Sequence, residues 1–312
     1  MKAVRCRHGQ VHVDTVERPQ QDGVRVKVVS AGICGSDLHL LNAGFDLPGT
    51  LGHEVAGIAE NGQAVAIEPI ANCGHCPYCL RGEINHCLRG AGSIMGIGID
   101  GGMAEEMVVP ASALVPLASN VSAKDACLVE PLSVAVHGIG LCELQPGMRV
   151  AIIGAGTIGL CALAVLNDLL PGSYVAARHD HQRSVVEQLG GTLSEEGDYD
   201  LVIDCAGSSE SLAQCARLCR PKGQLLLLAT YWSEVAMPAM DICMKELTVR
   251  AASMHGRQGP ARDIDVAATT LARMPQLPEL LITHRMPLTS AAEAFATAAR
   301  RDAGAIKVCL HP

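Results

Sequence analysis

Cys73, Cys76, Cys79 and Cys87 lie in the stretch NCGHCPYCLRGEINHC at spacings of two, two and seven residues. Four thiolates so close in sequence can converge on one tetrahedral zinc, with Gly74 and Pro77 letting the chain turn tightly between ligands. Two other chemistries compete. A disulfide framework is disfavoured where thiols are kept reduced, and a CxxC redox pair leaves two cysteines unexplained. Four protein ligands leave no open position, so such a zinc stabilises a loop and does not catalyse. Catalysis needs a second, open site. Its candidate pieces are Cys34 in GICGSDLH and His53 and Glu54 in LGHE, a soft, a borderline and a hard ligand, with Glu130 of VEP as a further carboxylate. Singly, each is read as readily as a buried thiol, a hydrogen-bonded imidazole or a helix-end acid. Only their joint context points to a metal.

The third element is GAGTIG, with Gly154, Gly156 and Gly159 around Thr157 and Ile158. Glycines there permit a tight turn, close approach of a pyrophosphate and helix–sheet packing, and the helix N-terminus meets the negative charge. A lone GxGxxG is a weak signal, but this one follows an apolar run and opens an Ala/Leu-rich segment. About twenty residues further on, a strand should end in the acid that holds the adenosine ribose. The sequence there is SYVAARHDHQR, and the expected register puts Arg178 at that place with Arg183 a turn beyond. Arginine grips a 2′-phosphate, which favours NADP; a slip of two residues would put Asp180 there and favour NAD.

The elements that must hold these residues divide the chain in two. Residues 1–131 show short alternating runs broken by Gly and Pro (VRVKVVSAG, GQAVAIEP, AEEMVVPAS), as in an antiparallel, barrel-like domain with long loops. Residues 132–256 alternate apolar strands (RVAIIG, SYVAA, DLVIDC, QLLLLAT, LTVRAAS) with helices, HQRSVVEQLGG and SESLAQCARLCRPKG, each closed by glycine. Strands without polar alternation are those of a parallel sheet covered on both faces, a doubly wound nucleotide-binding domain. The tail, 257–312, carries a helix (AAEAFATAARRDAG) and a last strand (AIKVCL) and is expected to return to the first domain. The nearly uncharged stretch at 150–170 tempts a membrane assignment, but its three glycines fit strand, turn and helix.

A net charge of −8 without a run of lysine or arginine gives no footprint for nucleic acid or an acidic membrane. The N-terminus has no signal-peptide-like apolar run, so a cytoplasmic location with reduced thiols is the expectation.

With these residues in view, the chain resembles the zinc-dependent medium-chain dehydrogenases, most of all their polyol (sorbitol, xylitol, idonate) branch. The resemblance runs through SAGICGSDLHL, LGHEVAG, the four-cysteine stretch, DGGMAEEMVVP, VEPLSVAVHG, GAGTIGL, DYDLVIDCAGS and LITHRMPLTSAAEAF. It implies an α/β protein: a GroES-like antiparallel barrel-type catalytic domain plus a doubly wound Rossmann domain, with one catalytic zinc in the cleft between them and one structural zinc. It implies that Cys34, His53, Glu54 and Glu130 belong to the catalytic zinc site, with Glu54 or Glu130 binding directly or through water. It implies further that Ser36 takes the substrate proton, His39 passes it to solvent, and Asp37 orients the ligand histidine.

The expected reaction is hydride transfer between a secondary alcohol or polyol and NADP, the reverse reducing a ketone. A small-molecule alcohol or ketone is then the partner, and the family's dimers and tetramers imply a homo-oligomer. The chain departs from the family in a compressed AENGQAVAIEP and in lacking an Arg–aromatic pair near AASMHGRQGPARDIDVA. With seven aromatic residues in all, a large stacking pocket is not expected, although Tyr231 and Trp232 follow a nucleotide-domain strand. The alternatives are a dehydrogenase of another hydroxy compound, such as a sugar acid or amino alcohol, and, from another class, a non-catalytic zinc- and nucleotide-binding redox sensor.

Overall fold

The first part of the chain forms short strands: β1 (Lys2–Arg7), β2 (Gln10–Thr15), β3 (Val24–Gly32), β4 (Glu54–Ala59), β5 (Ala64–Ile67), β6 (Glu106–Val109) and β7 (Leu114–Pro116). Alternation leaves β6 with one buried face, whereas β4 and β5 are buried on both. Helix α1 (Gly35–Asn42) joins β3 to β4, α2 (Pro77–Leu80) is a single turn in the cysteine-rich stretch, and α3 (Val129–Gly140) follows β7. The structure, a computed structural model, describes every residue except Asp46, Asp168 and Glu196.

The middle of the chain switches to β/α alternation: β8 (Val150–Ile153), α4 (Thr157–Leu166), β9 (Tyr174–Ala176), α5 (Asp180–Gln188), β10 (Tyr199–Asp204), α6 (Ser209–Leu218), β11 (Cys219–Leu227), α7 (Ala239–Met244) and β12 (Thr248–Ala251). All pairings among these strands are parallel, in the order β12-β11-β10-β8-β9. Among the described residues, the sheet continues beyond β9 as a single parallel bridge between Tyr174 and Thr192. The chain steps from β8 outward to β9 and then back across β8 to β10. That reversal opens a crevice at the carboxyl ends of β8 and β10, where an α/β sheet binds its ligand.

The tail adds β13 (Arg257–Gln258), β14 (Ala261–Arg262), α8 (Asp263–Arg273), α9 (Leu277–Leu281), β15 (Ile282–Pro287), α10 (Ala291–Ala299) and β16 (Lys307–His311). Strand β16 pairs with β3, extending a seven-stranded sheet in the order β15-β16-β3-β4-β5-β7, with β6 on β3. The chain forms two compact units, residues 1–133 with 256–312 and residues 134–255. In the first, Leu51, Ile67 and Met103 are fully buried; in the second, Leu160, Leu163, Leu166, Ile152, Leu201 and Ile203 are. Among the described residues no helix is long and apolar enough to cross a membrane, and 150–166 resolves into β8, a turn and α4.

One expected boundary is corrected. The helix SESLAQCARLCRPKG ends at Leu218, and Gly223 lies within β11 instead of closing the helix. Pro221 supplies no N–H and fixes φ, which stops helical continuation. Lys222 adopts φ 59°, and the pairing with β10 jumps from Tyr199↔Cys219 to Leu201↔Gln224, so the glycine serves an irregularity in the strand. In HQRSVVEQLGG the expectation holds: α5 stops at Gln188 and Gly190 has φ 78°.

Candidate metal and cofactor sites

The junction of β3 with α1 and the start of β4 bring the first cluster together. Cys34 is the N-cap of α1, its N–H donating to Asp37 Oδ2 at 3.0 Å, and Glu54 begins β4 alongside β3 with His53 just before it. Glu54 pairs across the sheet with Gly32, where any Cβ would overlap the Glu54 carboxylate; only glycine leaves that acid its place. The ligand atoms of Cys34, His53 and Glu54 lie within 4.8 Å of one another. His53 turns Nδ1 toward Asp37 Oδ1 at 3.6 Å and Nε2 toward Ser36 Oγ at 3.4 Å. Both Asp37 Oδ1 and His53 Nδ1 are buried without a hydrogen-bond partner, so the imidazole is oriented by charge, with Nε2 on the side of the cluster. A thiol, an imidazole backed by a carboxylate and an acid form a donor set that fits zinc.

Electrostatics at this cluster are those of charges kept from water. Burial alone would depress the His53 pKa, but Asp37 and then Cys34 reverse the balance and raise it well above the ordinary value. Burial raises Asp37, with His53 the main opposing influence. Glu130, in the first turn of α3, acts on His53 through its charge but does not join the three-residue cluster. His39, one turn beyond Ser36 on α1, has its pKa lowered by burial and then by Arg301.

The second cluster comprises Cys73, Cys76, Cys79 and Cys87, whose sulfurs also lie within 4.8 Å of one another. Backbone N–H groups converge on them: Cys76 N–H on Cys73 Sγ and Cys73 N–H on Cys87 Sγ, each at 3.3 Å. Cys76 is held down to about 6 by the N–H groups of Cys79 and Leu88, whereas burial and then Cys76 push Cys79 up to about 12. Sulfurs this close cannot all ionise without a cation between them, which is the situation a Cys₄ zinc resolves.

In the nucleotide unit, Gly154 has φ 107° and Gly156 is the N-cap of α4. A Cβ on Gly159 would run into the Gly154 carbonyl oxygen, so the helix can approach the loop only without a side chain there. A Cβ on Gly156 would meet nothing within 4 Å, leaving open space at the start of α4 beside Thr157 and Ile158. Open space at a helix N-terminus, where the helix dipole favours negative charge, is a cradle for a dinucleotide pyrophosphate. Strand β9 ends at Ala176, followed by Ala177 and an exposed Arg178. Asp180 begins α5 with a fully exposed side chain, paired at 3.6 Å with Arg183, whose Nε donates to the Ala177 carbonyl.

Residues 20–119 match the alcohol dehydrogenase GroES-like domain family and residues 123–311 the glucose dehydrogenase C-terminus family. Galactitol 1-phosphate 5-dehydrogenase of Escherichia coli (strain K12) is 30% identical, with 95% of this chain and 94% of that protein covered. The chain belongs to the zinc-dependent medium-chain polyol dehydrogenase family. L-galactonate-5-dehydrogenase of the same organism is 29% identical over 89% of this chain and 88% of that one. A solved structure described as a zinc-binding dehydrogenase from Sinorhizobium meliloti 1021, bound to NADP, superposes with a TM-score of 0.86 at 28% identity, covering 100% of this chain and 99% of that one. The chain is therefore an NAD(P)-dependent dehydrogenase, and its two clusters and glycine loop fit the zinc ions and dinucleotide of that family.

Two residues of this dehydrogenase escaped the sequence reading. Lys307 Nζ bonds both Glu54 oxygens, at 2.7 and 2.6 Å, and the Ile33 carbonyl at 3.1 Å, with both side chains almost fully buried. Its one signal was a lysine inside the apolar run AIKVCL. Asp204, at the end of β10, accepts from the N–H groups of Ala206 and Gly207, from Ser211 Oγ and from Tyr231 OH at 2.7 Å, fixing the loop beside Gly154. Tyr231 thus serves the loop's architecture, while Trp232 is exposed.

Proposed function

We propose that this dehydrogenase oxidises a secondary hydroxyl of a polyol or polyol derivative with NADP. The observation that carries the reading is the convergence of Cys34, His53 and Glu54 beside the Ser36 hydroxyl. Cys34 and His53 hold the catalytic metal, with Glu54 or Glu130 completing the set, and the four-cysteine lobe holds a second, structural one. When bound, zinc supplies the Lewis acidity that makes a ligated hydroxyl acidic, and the nicotinamide supplies the hydride acceptor. Ser36 takes the hydroxyl proton, and His39, three residues along the same helix and exposed, passes it to water. Asp37 keeps the His53 ring turned so that one nitrogen faces the metal position.

NADP is favoured because β9 ends at Ala176 with Ala177 and Arg178 after it and no carboxylate among them, while Asp180 is turned to solvent on Arg183. Arg178→Ala should weaken NADP by about 10- to 100-fold, the loss of a charge-assisted phosphate contact, and leave NAD nearly unchanged. An equal effect on both cofactors would restore NAD as the natural partner.

A specific observation favours an acidic substrate within this reading. The Arg301 guanidinium lies 3.6 Å from where a Gly35 Cβ would be, one residue from Cys34, and acts on His39. It suits a carboxylate or phosphate on the polyol, and relatives named for L-galactonate and galactitol 1-phosphate point the same way. Initial rates on neutral polyols, sugar acids and polyol phosphates, each with NAD and NADP, test the proposal. Zinc analysis beside them should find close to two ions per chain, falling to one with turnover lost in Cys34→Ser; full turnover in that variant would remove the catalytic-zinc reading. Assembly as a homo-oligomer in the cytoplasm belongs to the same proposal, and sedimentation measures the subunit number.

A further inference from the structure

Cys127 and Cys309 are 182 residues apart, yet Cys127 Sγ lies 3.5 Å from Cys309 Sγ, and both side chains are wholly buried. Among the described residues, neither belongs to a candidate metal cluster. Cys127 sits in the single helical turn Ala126–Leu128 that leads into α3 and Glu130. Cys309 sits in β16, two residues after Lys307, and pairs across the sheet with Gly32, whose other neighbour is Glu54. The Cys127 thiol donates to the Cys309 sulfur. That bond first, and His311 second, lower the Cys309 pKa, while the same bond raises Cys127, so the pair holds its charge on Cys309. His311 gives Nδ1–H to the Val29 carbonyl at 2.8 Å, which leaves its buried Nε2 with no hydrogen-bond partner and the Cys309 sulfur as its electrostatic neighbour.

We propose that Cys127 and Cys309 are a peroxide-oxidisable dithiol whose disulfide ties β16 to the segment leading into Glu130. Closure needs the sulfurs to move from 3.5 Å to bonding distance, about 2.05 Å. Hydrogen peroxide is the oxidant, small enough to reach a site closed to larger disulfides. The Cys309 proton passes to His311 Nε2, and the thiolate attacks one peroxide oxygen. The O–O bond breaks, Cys309 becomes a sulfenic acid, and the departing hydroxide takes the proton back from His311 as water. Cys127 then attacks the sulfenic sulfur; its proton leaves with the hydroxyl as a second water and the S–S bond forms. Two thiols and one peroxide give one disulfide and two waters. The new bond fixes, from below, the strand whose Lys307 holds Glu54 and the Ile33 carbonyl next to Cys34.

Mapping disulfides in the intact, zinc-loaded enzyme after brief peroxide treatment tests this. The expected result is a loss of two hydrogens in mass, one cross-linked peptide pair joining residues 127 and 309, and alkylation of 12 of the 14 cysteines (14 less the linked two) after denaturation and chelation. Dithiothreitol should restore all of them. Turnover should fall as the link forms, and Cys127→Ala should keep its turnover through the same treatment. Free Cys127 and Cys309 after peroxide, a sulfinic acid on Cys309 beside a free Cys127, or lost thiols confined to the four-cysteine lobe would each overturn the proposal. A fully linked enzyme with unchanged turnover would overturn the tether. The mapping is made on the natural protein, so it stands whether or not the variant folds.

Discussion

His39 and Arg301 show how one exposed charge sets the working range of another. A proton relay must be neutral to accept, so the acid limb of its rate profile lies at its own pKa. Burial lowers the His39 pKa, and Arg301 lowers it further. His39 therefore stays neutral to a lower pH than a free imidazole. Replacing Arg301 by Gln should let the value rise and move the acid limb of kcat/KM upward in pH, with the basic limb unmoved. A limb that stays in place would mean that His39 is not the relay. The same substitution separates the two substrate readings: KM for an acidic or phosphorylated polyol should rise about tenfold, about 1.4 kcal/mol, while a neutral polyol should be unaffected.

At the scale of elements, the two glycines of the nucleotide loop have different jobs, and substitution distinguishes them. Gly159→Ala drives a methyl into the Gly154 carbonyl, so α4 or the loop must shift. Overpacking of this kind costs about 1–3 kcal/mol and should appear in urea unfolding together with lost cofactor binding. Gly156→Ala meets nothing in the protein and should unfold as the natural chain does, yet lose affinity because its methyl occupies the phosphate cradle. Comparable stability loss in both would deny Gly156 that role. Which elements exist was readable because hydrophobic period is local: β8, α4, α5 and β16 follow from their own residues. Less readable were features set by partners elsewhere. The irregularity at Pro221–Gly223 depends on pairing with β10, and nothing in the run after β9 announces that Thr192 will bridge to Tyr174 at the edge of the sheet. The cysteine spacing identified its cluster because all four ligands are close in sequence. The partner of Glu54 comes from a strand 253 residues away, where no local pattern names it.

For the whole molecule, that distant pair is one of the ties between residues 1–133 and 256–312, beside the pairing of β16 with β3 and the core that Leu288, Phe295 and Val308 share with Val26 and Leu51. Burial by itself would lower the Lys307 pKa, but Glu54 outweighs it, and the folded value rises above the ordinary 10.5. A group whose folded pKa is raised contributes its full stability below the unfolded pKa and loses it as pH climbs through the folded one. The contribution of Lys307 is therefore level across neutral pH and declines only above about 10.5. Truncation exposes its size. Lys307→Met leaves the Glu54 carboxylate buried without its cation and should lower stability by about 3–5 kcal/mol, read from urea unfolding at pH 7. Adding Glu54→Gln removes the orphaned charge and should return much of that loss, because a buried ion pair replaced as a pair costs far less than one broken. If the double variant is no more stable than Lys307→Met, the lysine acts by filling its place in β16 and not by answering the charge of Glu54.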